Sequence, residues 1–131
     1  MTGGCTFRLG GTEYWLVYTA DAYFEINDAY GTDFLEKLRA GTREAFDIAV
    51  GCLVILAKEG ELCRRYMGYD AAPMLTEETV RRCSLPDTVV PIKLAVNRAI
   101  NAGLRIENAK DTSNEPVDLG LLEYEKKTAL D

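Results

Sequence analysis

Over residues 7–18 apolar and polar side chains alternate on either side of Gly10-Gly11. This is the pattern of a β-hairpin, because successive side chains of a strand point to opposite faces and two glycines supply the positive φ of a tight turn. Phe7 and Leu9 share a face of the first strand, and Tyr14, Leu16 and Tyr18 share a face of the second. Trp15 has the opposite parity, so one face of the ribbon exposes an aromatic ring unless helices cover both.

After Thr19 the apolar period lengthens from two to about 3.6, the helical value. Thr19 reads as the N-cap of a short helix carrying Ala22, Tyr23, Ile26, Ala29 and Tyr30, with Gly31 ending it. Asp33 caps a second brief helix bearing Phe34, Leu35 and Leu38, and Gly41 closes it. Thr42 opens the longest helix, whose stripe of Phe46, Ala49, Val50, Leu53, Leu56 and Ala57 is widened by Cys52, Val54 and Ile55. Apolar coverage almost all round makes that helix the central one. Gly60 predicts a bend, after which Leu62, Tyr66 and Met67 continue for a turn or two before Gly68. Residues 69–74, with Pro73, read as a loop.

Thr76 caps a further short helix, with Leu75 and Val80 placed to form a hydrophobic staple across its start. Leu85-Pro86-Asp87 interrupts, and a last long helix begins near Thr88, holds Pro91 in its first turn and stops at Gly103. Its core face is Val89, Ile92, Val96, Ala99 and Ile100. The sequence therefore predicts a mainly α protein with an N-terminal β-hairpin, an α+β fold in which a small helical bundle packs with a two-stranded ribbon over residues 1–107. From Asn108 the chain turns polar and aperiodic, predicting a linker and flexible C-terminal tail over 108–131. The tail carries one apolar cluster, Leu119, Leu121, Leu122 and Tyr124, which either folds back on its own domain or docks on a partner.

Charge and chemistry narrow the field. The chain has 131 residues and a net charge of -6, which disfavours a nonspecific grip on nucleic-acid phosphates. Arg64-Arg65 and Arg81-Arg82 stand among Glu61, Glu77 and Glu78 and read as solvated helix faces. Cys5, Cys52, Cys63 and Cys83 are widely spaced without a CxxC pair, and with no histidine in the chain no metal site is expected. Lack of imidazole also weakens an enzymatic reading, and Glu59 with Glu61 or Glu77 with Glu78 read as surface and helix-start charges. There is no phosphate-binding glycine loop and no G-x-S-x-G elbow, so neither a cofactor nor catalysis is expected. No secretory signal opens the sequence and its longest apolar run is too short to span a bilayer, so a protein of the reducing cytoplasm, with no membrane partner, is expected.

The segment Phe7-Arg8-Leu9-Gly10-Gly11-Thr12-Glu13-Tyr14, the helix entry Tyr18-Thr19-Ala20-Asp21-Ala22 and the helix end Tyr30-Gly31 resemble the tail assembly chaperones of long-tailed bacteriophages and prophages. The order of the later segments resembles them too: the apolar helix from Ala45 to Ala57, Leu75-Thr76-Glu77-Glu78-Thr79-Val80, the helix end Ala99-Ile100-Asn101-Ala102-Gly103, and Asp118-Leu119-Gly120-Leu121-Leu122-Glu123. The resemblance implies a non-catalytic role in the host bacterial cytoplasm. Such a protein keeps the apolar tape measure protein soluble, recruits major tail tube subunits and is left out of the mature virion. The side chains least explained by a core, hence the candidate partner contacts, are Tyr14, Trp15 and Tyr18 on the ribbon and Leu119, Leu121, Leu122 and Tyr124 on the tail. A ribbon edge and a long partner to coat also imply a homo-oligomer. The alternatives are a structural head-tail or tail component and a small helical DNA-binding regulator. The regulator's recognition helix would offer only Lys93 and Arg98.

Overall fold

The computed structural model of the chain describes residues 4–104. The expected linker and tail over 108–131 lie outside the described residues. Within them the protein is mainly helical with an N-terminal antiparallel hairpin, as the sequence predicts.

Strands β1 (Gly4–Leu9) and β2 (Thr12–Val17) pair with Leu9 opposite Thr12, leaving only Gly10 and Gly11 in the turn. Their φ angles of 59° and 81° are those a two-residue turn of the twist-matched type needs. Phe7 stands opposite Tyr14 and Cys5 opposite Leu16, so these four, with Leu9, form the face that packs on the core. Tyr18 lies one residue beyond β2, in the connection to the first helix.

The helices are α1 (Ala20–Tyr30), α2 (Phe34–Leu38), α3 (Arg43–Tyr66), α4 (Glu77–Cys83) and α5 (Val89–Leu104), with a 3-10 turn at Pro86–Thr88. Three of them begin on the expected threonines. The Thr19, Thr42 and Thr76 hydroxyls accept from the backbone N–H of Ala22, Ala45 and Thr79 at 3.1, 3.1 and 3.2 Å. Asp33 stands at the start of α2 without a side-chain cap bond. Leu75 and Val80 are both buried, as a staple requires. The Thr19 hydroxyl also donates to Glu59 Oε1 at 2.7 Å, tying the entrance of α1 to α3. Thr42→Ala is accordingly expected to lower stability by about 1 kcal/mol in urea denaturation, and Thr19→Val by about 1.5 kcal/mol, because the second change also strips a donor from a buried carboxylate.

The central helix is α3, which touches β2 and every other α-helix. Its Val50, Cys52, Leu53 and Leu56 are fully buried, in a core shared with Leu16, Ile26, Leu38, Val80, Ile92, Val96 and Ile100. Cys52 sits deep enough that burial pushes its thiol up to about 12.

The structure departs from the sequence reading at three glycines. Gly41 does not close α2, which ends at Leu38 in tight turns: the Arg39 N–H donates to the Glu36 carbonyl and the Ala40 N–H to the Lys37 carbonyl, each at 3.2 Å, and the Ala40 carbonyl is taken by Lys93 Nζ at 2.7 Å. Gly60 does not interrupt α3, a single helix of 24 residues. Gly103 does not stop α5, which includes it and reaches Leu104. The last two glycines are explained by space. A Cβ on Gly60 would overlap the backbone carbonyl of Trp15, and one on Gly103 would stand 2.6 Å from the Cβ of Tyr18.

Candidate functional site

Register decides what β2 offers to α3. With a two-residue turn, Leu9 and Thr12 form a hydrogen-bonded pair, and pairs alternate along the ladder. Thr6 and Trp15 are therefore a non-hydrogen-bonded pair, and the Trp15 N–H and C=O turn outward from the ribbon. That carbonyl is the group seated on Gly60. One edge of the ribbon is thus closed by a helix, and the Trp15 side chain is directed to the face away from the core. It is half-buried rather than exposed there, with its Nε1 lying 2.7 Å from where a Cβ on Gly4 would stand.

Beside this contact Ala57, Glu61 and Arg64 form one stripe of α3, at i, i+4 and i+7. Glu61 read as a surface charge in the sequence, and the structure corrects this: its exposure is only 6 %. Glu59, read the same way, is 8 % exposed. The two lie on different sides of α3: Glu59 is met by Thr19 at the entrance of α1, and Glu61 by the loop after α3. Glu61 Oε1 accepts from Arg64 Nη1 at 2.7 Å, and Oε2 accepts from Arg65 Nε at 2.9 Å and from the Ala72 N–H at 2.6 Å. Arg64 also reaches the Asp70 carbonyl and lies over the Tyr69 ring, while Arg65 reaches the Ala72 carbonyl at 3.0 Å. Arg64 and Arg65 keep part of their side chains in solvent, as expected, and also clamp residues 69–72. Burial alone would raise the Glu61 carboxyl, but the Ala72 N–H and the two guanidinium groups outweigh it and hold the group below its ordinary value.

Between the clamped loop and β2 lies a groove of about 520 Å³, lined by Tyr14, Trp15, Thr6, Thr12 and Glu13 on one side and by Met67, Tyr69, Ala72 and Pro73 on the other, with the α3 stripe between them. Its rim is more apolar than a solvated surface requires. Of the residues that line it, Tyr69 is 60 % exposed and Met67 is exposed as well. A preformed concavity with aromatic walls and a few fixed polar groups is suited to receiving apolar side chains of another segment.

Comparison with known family models, curated proteins and solved structures gives no match.

Of the candidate contacts read from the sequence, Tyr14 and Trp15 both line the groove, from opposite faces of β2. Tyr18 does not line it. This residue is half-buried between the Gly103 region of α5 and Tyr23, whose ring stands edge-on at 6.2 Å. Leu119, Leu121, Leu122 and Tyr124 lie outside the described residues. Sequence reasoning missed Glu61, Arg64, Met67 and Tyr69 as members of one site. The available signal was Glu61 standing three and four residues before Arg64 and Arg65, a spacing that brings all three to one helix surface.

Among the described residues no three acidic or cysteine side chains converge as metal ligands, and no helix is long and apolar enough to cross a membrane. Of the two cations expected on α5, Lys93 is engaged with Ala40 across the fold, whereas Arg98 is exposed.

Proposed function

We propose that this chain is a non-catalytic assembly chaperone of a long-tailed phage or prophage. It would act in the host bacterial cytoplasm, where it binds the apolar tape measure protein and recruits tail tube subunits. The observation that supports the reading best is the groove between β2 and the end of α3, which two of the three ribbon residues singled out from the sequence line together with exposed Met67 and Tyr69. A chaperone for an apolar coil needs a preformed apolar surface on an otherwise charged body, and affinity modest enough to be displaced as tube subunits arrive. The groove is small, so many copies along one partner would share the load, in keeping with a homo-oligomer.

The test is co-expression with the tape measure protein encoded nearby. The intact chain is expected to keep that protein soluble and to co-purify with it. Tyr69→Asp, at an exposed rim position, is expected to abolish rescue while lowering stability by no more than about 1 kcal/mol, the size of the lost Arg64 stack. Failure of the intact chain to bind or solubilise the coil would overturn the chaperone reading, and its presence in purified virions would favour a structural tail component.

A further inference from the structure

The groove has a candidate occupant within the same chain. Helix α5 brings the chain to Leu104 beside β2: Gly103 packs on Tyr18, which is three residues from Trp15 and so at most about 11 Å from it along the backbone. Beyond Leu104 the sequence has thirteen residues, 105–117, before Asp118-Leu119-Gly120-Leu121-Leu122-Glu123-Tyr124. Thirteen residues can reach up to about 45 Å, far more than the distance back to the groove. The apolar segment puts four large side chains into six consecutive positions, and a groove of about 520 Å³ is of a size for a short segment rather than for the face of a folded partner.

We infer that Leu119, Leu121, Leu122 and Tyr124 seat in the groove of their own chain, against Trp15 and Tyr69, and must leave before any other segment binds there. Tethering decides between this occupant and a second copy. A segment on a short connection meets its site at an effective concentration in the millimolar range, about a thousandfold above that of another copy at micromolar protein. The competition sets a threshold, because a partner must outbid an intramolecular segment and only a strong or multivalent apolar coil does so. Self-occupancy involves this chain alone and holds whether or not the partner is a tape measure protein.

Trp15 is the only tryptophan in the sequence and lines the groove, so its fluorescence reports occupancy directly. The experiment compares acrylamide quenching of the full-length chain with that of the full-length variant Leu119→Ser, Leu121→Ser, Leu122→Ser and with Tyr69→Asp. Quenching is expected to rise by about twofold or more in both variants, with thermal unfolding retained. A synthetic peptide of residues 116–127 added to the serine variant is expected to restore protection. Equal quenching in parent and serine variant overturns the inference. Protection that grows with protein concentration overturns it as well, because the occupant is then a second copy.

Discussion

Gly60→Ala is expected to destabilise the protein by about 3 kcal/mol, although alanine is the better helix former by about 1 kcal/mol. The sign is set by the atoms that stand in the way. The added methyl would overlap the Trp15 carbonyl, with Leu16 N next nearest, and both are backbone atoms of a paired strand that cannot turn aside as a flexible side chain does. Relief requires β2 to move off α3, which loosens buried Leu16 and Val17 along with it. Overpacking of this kind costs about 4 kcal/mol where backbone must shift, leaving the stated net loss. The urea midpoint should fall with little change in slope, and a domain of this size should lose more than 10 °C in Tm, at roughly 4 °C or more per kcal/mol. A gain in stability would show that the strand is not seated on the helix at this point.

The second large effect is expected at Glu61. Its removal as alanine leaves Arg64, Arg65 and the Ala72 N–H without their shared acceptor and releases residues 69–72 from α3. Breaking a fully buried ion pair costs about 3–5 kcal/mol, but the Arg64 and Arg65 side chains are 29 % and 40 % exposed and regain water, so about 2 kcal/mol is expected. The same contacts make stability pH-dependent. The folded-state value of Glu61 lies below its ordinary 4.5, so its contribution is complete above the unfolded value and is lost as pH falls through the folded one. Glu61→Gln should therefore be less stable than the parent at neutral pH and should lose less on acidification below about pH 4.5, so that the two unfolding curves converge in acid. Parallel curves would show that the carboxylate is not held by the clamp.

Where the sequence was readable, local chemistry set the structure. The Gly10-Gly11 turn, the threonine caps and the Leu75–Val80 staple depend on residues within a few positions of one another, and all stand as the pattern predicts. Gly60 and Gly103 were misread because a glycine inside a helix carries the same local signal whether it bends the helix or admits a neighbour. Here the neighbours are Trp15 and Tyr18, 45 and 85 positions away in the chain. Glu61 was misread, and its clamp with Arg64-Arg65 missed, for the same reason. Their spacing was visible, but the backbone N–H of Ala72 that gives the buried Glu61 carboxylate its third donor arrives only through a loop without periodicity. The groove was half-legible: parity placed Trp15 off the core face, and nothing in the sequence brought residues 67–73 to meet it.

The core thiol of Cys52 gives the protein an internal clock for its own opening. Thiolates, not thiols, react with alkylating reagents, and burial that lifts this group to about 12 suppresses both its ionisation and its contact with reagent. It is wholly buried in a core that draws side chains from both strands and all five α-helices. Its labelling is expected to follow the opening of that core, while exposed Cys83 in the same molecule records the reagent's intrinsic speed.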